Sequence, residues 1–185
     1  MVQKIRAFLP SNMPHSKPYT PVVKCDGRFR ISFDLDDTLT SHCCKVPTEQ
    51  GVFPGFIHRW FGEPLRKGTA SLIQELRRKG CSIWIYTSSG RSPGYIRRWL
   101  LLHGIMVDGV VNGDIHRRSG KPRFLNRLPS KFPPSFGIDL HVDDSEGVKM
   151  EGDEHGFRVL RIDPYDTHWT EKVLCAVTLL SSART

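Results

Sequence analysis

From Arg30 onward, apolar and polar residues change period repeatedly along the chain: a run with strand-like alternation, then a stretch at helical spacing, then another strand-like run. The pattern predicts a strand over Arg30 to Leu35, followed after a long connection by a helix from Thr69 to Lys79. Leu72, Ile73 and Leu76 form the inward face of that helix and Gly80 stops it. A strand from Cys81 to Thr87 comes next. Ser92-Pro93 is a good helix start, Ile96, Trp99, Leu100 and His103 share one face, and Gly104 closes the element before a short strand around Val107 to Val111. A loop with Gly120-Lys121-Pro122 leads to a predicted short helix near Arg123 to Leu128 and a strand over Gly137 to Val142. After another helix or turn come a strand from Phe157 to Ile162 and a last amphipathic helix near Trp169 to Leu180. Trp84 and His141 read as core residues of the sheet. Strands alternating with helices predict a single α/β domain of Rossmann-like, three-layer form with a mostly parallel sheet. Residues 1–28 carry Pro10, Pro14, Pro18 and Pro21 and show no helical period, so they read as an extended arm ahead of a domain over 29–185.

Composition narrows the class without naming a chemistry. With 185 residues, 38% hydrophobic and 25% charged, the chain fits one globular domain with a real core. No run approaches the roughly 20 apolar residues of a membrane span, and the opening Met1-Val2-Gln3-Lys4-Ile5-Arg6 lacks a secretory apolar block, so a cytoplasmic protein is expected. Five cysteines without a repeating spacing make no disulfide framework. His42-Cys43-Cys44 with His58 lacks the spacing of a structural zinc site. The net charge of +8 is uneven: residues 136–185 hold 5 Lys/Arg against 10 Asp/Glu, and the preceding 135 residues hold 22 against 9. Such a surface attracts polyanions, phosphorylated ligands or acidic proteins, although runs such as Arg77-Arg78-Lys79 also read as ordinary solvated helix faces. Arg117-Arg118, Lys121, Arg123, Arg127 and Lys131 form a basic stretch able to follow a phosphate backbone or an acidic peptide. It lacks the regularly interleaved aromatics of a specific nucleic-acid reader.

The candidate chemistry begins where the first strand ends. Asp34 and Asp36, in Asp34-Leu35-Asp36-Asp37-Thr38-Leu39, share a face if the chain stays extended, and in open α/β sheets ligands gather at the carboxyl ends of strands. Two carboxylates on one small face repel and need a metal, a shared proton or a cage of hydrogen bonds. Three further strand ends or loops carry polar groups: Thr87-Ser88 after Ile83-Trp84-Ile85-Tyr86, Lys121, and Asp143-Asp144 after Ile138-Asp139-Leu140-His141-Val142.

In that order, these resemble the four motifs of the haloacid dehalogenase (HAD) superfamily: DxDx(T/V)L, a hydroxyl residue ending an apolar strand, an isolated lysine and a terminal acidic pair. The resemblance covers about Arg30 to Ile162 and implies a Mg²⁺-dependent phosphatase. It implies that Asp34 takes the phosphoryl group as an aspartyl-phosphate, and that Asp36 protonates the leaving oxygen and then activates water. It implies a Mg²⁺ site from Asp34, the backbone carbonyl of Asp36 and the Asp143-Asp144 pair, with Asp144 favoured over Asp143. Thr87, with Ser88, is implied to bind the phosphoryl oxygens, and a lysine to hold nucleophile and phosphate together. Gly120-Lys121-Pro122 fits the third motif, so Lys121 is preferred; Lys131, closer to Asp143, is its rival. Asp37 stands where many small-molecule members have Gly and resembles the branch of RNA polymerase tail phosphatases.

The intervals between the motifs are filled by the predicted helices and strands, leaving no room for a large cap. Capless members accept large substrates, which implies a phosphoprotein or a nucleic-acid end as the phosphorylated partner. Ser41 to Glu63, with Phe56, Trp60 and Phe61, reads as a small flap or as packing at the entrance. The alternatives from other classes are a non-catalytic HAD-fold binding or regulatory protein and a nucleic-acid end-processing phosphatase.

Overall fold

The computed structural model describes residues 27–40, 46–49, 63–120, 122, 125 and 127–182. Residues 1–26 of the arm expected over 1–28, Lys121, residues 123, 124 and 126 of the predicted 123–128 helix, and the flap and zinc readings on 41–45 and 50–62 lie outside the described residues; Leu125, Arg127 and Leu128 are described and are not helical.

Five strands form one parallel sheet: β1 (Arg30–Phe33), β2 (Ser82–Tyr86), β3 (Gly109–Val111), β4 (Leu140–Asp143) and β5 (Val159–Arg161), in the order β3-β2-β1-β4-β5. The helices are α1 (Thr69–Arg78), α2 (Pro93–Leu101), α3 (Gly113–Ser119), α4 (Glu146–His155) and α5 (Trp169–Ser182), with a 3₁₀ turn at Pro133–Phe136. This is the Rossmann-like α/β architecture that the alternating pattern predicts. The described residues contain no cap domain and no helix long and apolar enough to cross a membrane.

Side-chain alternation gives the sheet two unlike faces. Ile31, Phe33, Ile83, Ile85, Leu140, Val142 and Leu160 are buried with Leu72 and Leu76 of α1, Ile96, Trp99 and Leu100 of α2, and Val173, Ala176 and Val177 of α5 in one apolar cluster. This face resembles an ordinary hydrophobic core. The opposite face carries Arg30, Ser32, Trp84, Tyr86, His141 and, past the end of β1, Asp34; it is covered by α3, α4 and the 3₁₀ turn through smaller clusters around Phe132, Phe136, Val148 and Phe157. The Arg30 guanidinium stacks 4.6 Å above the Trp84 ring, and only a glycine at 109 leaves space beside it, because a Cβ there would lie 2.2 Å from that ring.

Two elements depart from the sequence expectation. The segment Gly113-Asp114-Ile115-His116-Arg117-Arg118-Ser119 is helical, started by the Asn112 side chain accepting from the Ile115 amide at 3.0 Å. The fourth strand begins at Leu140 rather than Gly137, because the prolines at 133 and 134 favour a 3₁₀ turn and Gly137 leaves it with φ +63°.

Candidate active site

β1 lies between β2, which leads outward to β3, and β4, which leads the other way to β5, so strand order reverses between β1 and β4. Ligands of doubly wound sheets bind at this switch point, beyond the carboxyl ends of the strands. Asp34 and Asp143 stand there on adjacent strands, the Asp34 amide donating to the Val142 carbonyl at 2.9 Å.

The extended path assumed for Asp34 and Asp36 ends at Phe33. The Leu35 carbonyl then accepts from the amides of Thr38, Leu39 and Thr40, curling the chain into a compact turn. Asp37 occupies the left-handed region at φ +57°, a conformation that suits glycine and that aspartate tolerates better than most residues. The turn separates the two carboxylates. Asp34 is 6% exposed and points inward, whereas Asp36 is turned to the Arg91 guanidinium, which grips it with two bonds of 2.8 and 2.9 Å. Arg91 also donates from Nε to Glu63 at 2.9 Å. The bond to Asp36 foremost, together with Glu63, pushes Arg91 above its already high range and keeps it charged.

Lys131 occupies the centre of the buried site. Its Nζ is 2.6 Å from both Asp34 Oδ1 and Asp143 Oδ2, with the lysine only 3% exposed. The sequence reading prefers Lys121 and names Lys131 as its rival; Lys121 lies outside the described residues. Burial alone would lower the Lys131 pKa, but the two carboxylates outweigh it and raise the value. Asp143 is held well below the usual carboxylate range: burial opposes ionisation, but the bond from His141 and the Lys131 charge prevail. For Asp34 burial wins over Lys131, and the nearby Asp143 adds to it, so its pKa is pushed up to about 7.

Asp143 has little capacity left for another ligand. Oδ2 accepts from both Lys131 and His141 Nε2 (2.8 Å), and Oδ1 accepts from the Ser145 amide at 2.9 Å. His141 is fully buried, burial lowers its pKa, and its other nitrogen meets Ser32 Oγ at 2.8 Å. A neutral imidazole therefore donates from Nε2 to Asp143 while Nδ1 accepts from Ser32. The reading of His141 as core is correct for its burial, but that core histidine also orients an acid of the site. Asp144 is half-buried, and its pKa is raised by burial and then by Asp143. Among the described residues its side chain accepts one long bond, from Thr38 Oγ1 at 3.3 Å, against three bonds to the oxygens of Asp143.

Oxygens of Asp34, Asp143 and Asp144 lie within 4.8 Å of one another. Three carboxylates against one lysine leave two negative charges in excess, and an all-oxygen donor set suits a hard divalent cation. These residues could hold a metal ion, with Asp34 and Asp144 offering the freer oxygens. The Asp36 carboxylate stands apart from them in its pair with Arg91.

Thr87 lies two residues beyond the Ile85 that pairs with Phe33, fully buried at the end of β2. Its hydroxyl oxygen accepts from the Ser89 amide at 3.1 Å, keeping the hydroxyl hydrogen available, while Ser88 is exposed. Arg91 and Glu63 were missed by the sequence reading. The signal for Arg91 was its position in the loop Ser88-Ser89-Gly90-Arg91, directly after the hydroxyl residue.

No protein family profile and no curated protein sequence matches this chain. Among solved structures, one of a Pnkp1/Rnl/Hen1 complex aligns with 79% of this chain and 50% of its own at 14% identity and a TM-score of 0.47. A second, of the Pnkp1/Rnl/Hen1 RNA repair complex, aligns with 80% and 46% at 14% identity and a TM-score of 0.46. The chain thus spans about half the length of these two proteins. A predicted HAD-like family hydrolase from Porphyromonas gingivalis aligns over 83% of this chain and 97% of its own, at 14% identity and a TM-score of 0.41. Likeness at this level assigns no activity.

Proposed function

We propose that the chain is a Mg²⁺-dependent phosphatase that hydrolyses a phosphomonoester through a phosphorylated Asp34. The observation that carries this reading is the buried Asp34–Lys131–Asp143 cluster, with Asp144 beside it, at the switch point of a parallel sheet. The HAD resemblance of the motifs around Asp34, Thr87 and Asp144 supports it, with Lys131 taking the place first given to Lys121.

In this reading an oxygen of Asp34 attacks phosphorus and the bond to the leaving oxygen breaks. Asp36, released from its pair with Arg91 and protonated, supplies the proton for that oxygen, then takes one from the water that attacks the aspartyl-phosphate, releasing phosphate and restoring Asp34. Lys131 keeps the Asp34 carboxylate in place and offsets charge on the transferred group, and Thr87 donates to a phosphoryl oxygen. Asp34, Asp144 and the backbone carbonyl of Asp36 hold Mg²⁺, which supplies charge neutralisation for the approach of an anionic nucleophile to an anionic phosphate. With no cap among the described residues, the substrate class is a large one: a phosphoprotein or a nucleic-acid end.

A screen of p-nitrophenyl phosphate, phosphopeptides, nucleotides and 3′-phosphorylated DNA, with and without Mg²⁺, tests the reading. Phosphate release that needs Mg²⁺ supports it; a blank screen with folded protein, or partner binding that persists without Asp34 and Asp36, favours a binding protein instead. A salt-sensitive preference for the DNA arm identifies an end-processing enzyme.

Removing the guanidinium of Arg91 leaves Asp36 without its bidentate anchor. Arg91→Ala is expected to lower kcat/KM by about 10- to 100-fold, an effect of the size seen when a supporting hydrogen bond to a reactive group is lost. Steady-state kinetics would show it, and an unchanged value would remove Arg91 from the site.

Because Mg²⁺ binds the Asp34 anion, binding releases a proton below a pKa of about 7. The apparent Mg²⁺ dissociation constant is expected to fall about tenfold for each pH unit between pH 5.5 and 6.5, and to level off above neutrality. Calorimetric titration at three pH values reads this directly; a flat profile would contradict it.

A further inference from the structure

The backbone on either side of Lys131 is gripped by two side chains that the chemistry above does not use. Tyr86 comes from β2 and His116 from α3, two elements that form no part of the loop carrying the lysine. The Phe132 amide donates to the Tyr86 hydroxyl at 2.8 Å. The same hydroxyl meets His116 Nδ1 at 2.6 Å, and His116 Nε2 meets the Pro129 carbonyl at 2.9 Å.

The directions of these bonds are fixed by what each end can do. A carbonyl only accepts, so His116 Nε2 carries the hydrogen there. A neutral imidazole then presents a bare Nδ1, so the Tyr86 hydroxyl donates to it and keeps its lone pairs for the Phe132 amide. The path runs without a gap from the backbone at 132, through two side chains, to the backbone at 129. Its two ends bracket Lys131.

The surroundings favour the neutral histidine that this path requires. Burial lowers the His116 pKa, and the charges of Arg117 on its own helix and of Lys131 lower it further. The Pro129 carbonyl and Glu151 of α4 act in the opposite sense and are outweighed. Burial likewise raises the Tyr86 pKa, so the phenol keeps its hydrogen. Tyr86 is itself wedged edge-on against Phe136, with ring centroids 5.5 Å apart, and tilted against His116 at 5.8 Å. Both rings are buried and close-packed beside the segment they hold.

We propose that Tyr86 and His116 are positioning residues that set the reach of Lys131 to Asp34. A lysine stem is long and flexible, and its ammonium meets both carboxylates only if its Cα is fixed. Contacts from Phe132 to Phe157 and from Ser130 to Glu151 also hold this segment, but they attach to α4 and to the link between α4 and β5. The Tyr86–His116 path alone among these ties the segment to β2, the strand next to β1 that ends in Thr87. It thereby couples the lysine to the strand end where the phosphoryl group is expected. The kinetic half of the inference rests on the phosphatase reading; the structural half does not.

The experiment compares wild type, Tyr86→Phe, His116→Gln and His116→Ala by amide hydrogen exchange and by kinetics with p-nitrophenyl phosphate and Mg²⁺. Tyr86→Phe removes one hydroxyl and keeps the ring. It is expected to speed exchange at the Phe132 amide by at least about tenfold and to lower kcat by about 10- to 100-fold with KM within about twofold. His116→Gln, which keeps a donor toward Pro129, is expected to retain more kcat than His116→Ala. Faster exchange with unchanged kcat would reduce the pair to a structural brace and overturn the positioning role. Unchanged exchange in a folded Tyr86→Phe variant would overturn the path itself. If wild type releases no phosphate from any substrate, the functional reading fails, and the exchange data still decide whether the pair holds the segment. Should His116→Ala fail to fold, Tyr86→Phe and His116→Gln carry the test.

Discussion

Asp34→Asn is expected to abolish phosphate release, by at least about a thousandfold, while leaving the metal-free protein more stable than wild type at pH 8. The two effects share a cause. An amide is a far weaker nucleophile than a carboxylate, so the attacking group is lost. The same replacement removes one negative charge from a cluster that carries two in excess. The sign of the stability change follows from the raised pKa. Asp34 ionises near 3.8 in the unfolded chain and at about 7 in the fold, so between those values the folded state binds more protons. Metal-free stability therefore falls as pH rises through that window, and the cost is complete above it. Asparagine carries no such cost and is expected to recover on the order of 2 kcal/mol at pH 8, or about 4–8 °C in melting temperature. At pH 4 the difference should nearly vanish. Thermal melts in EDTA at the two pH values, beside a phosphate-release assay, would check both halves; retained turnover would remove Asp34 as the nucleophile.

Lys131→Met is the second large effect. It keeps most of the stem volume and removes the charge, leaving Asp34 and Asp143 buried side by side with no cation between them. Breaking a buried pair in this way costs about 3–5 kcal/mol, because a buried carboxylate left uncompensated must be protonated or hydrated. The loss should be smaller in saturating Mg²⁺, which replaces part of the missing charge, and smaller at low pH. Turnover is expected to fall by about 10²- to 10³-fold even with metal present, since the positive charge facing the transferred group is gone. Lys121→Met is the matched comparison and is expected to stay within about 0.5 kcal/mol of wild type, with activity within about twofold. If Lys121→Met were instead the inactive variant, the sequence preference would stand and the role given to Lys131 would fall.

That preference shows where sequence reasoning reaches its limit. The strand ends were legible because alternation and punctuation are local: Ile31 and Phe33, Ile83 and Ile85, Leu140 and Val142 mark the buried runs, and Asp34, Thr87 and Asp143 follow directly. Helix α2 was equally legible from Ser92-Pro93, and the Ser92 hydroxyl does accept from the Tyr95 amide. Helix α3 was not, because its seven residues include one large apolar side chain, Ile115, too few to show a period. Asn112 was its visible start signal. The choice between Lys121 and Lys131 was not legible because loops have no period: a loop cation beside a glycine looks catalytic, and one ahead of a 3₁₀ turn looks incidental. Phe132-Pro133-Pro134 after Lys131 was the available hint, since an apolar, turn-forming run draws its neighbour inward. Arg91 pairs with Asp36 and Glu63 on other loops, and pairings across a fold are invisible one residue at a time, whereas His141 meets Asp143 two residues along the same strand, where strand alternation alone puts them on one face.

The two unlike faces of the sheet have a consequence for how this protein could change. Along β1, odd positions such as Ile31 and Phe33 answer to packing, where volume-conserving exchanges are tolerated. Even positions, Ser32 and then Asp34, belong to a chain of hydrogen bonds and charges that admits few replacements. Thermal robustness and chemistry are thus written on alternate residues of the same strand. A library that varied only the odd positions of β1, β2 and the matching side of β4 could tune melting temperature over several degrees without touching the buried polar network, whereas changes at Ser32 or Asp34 would move stability and chemistry together.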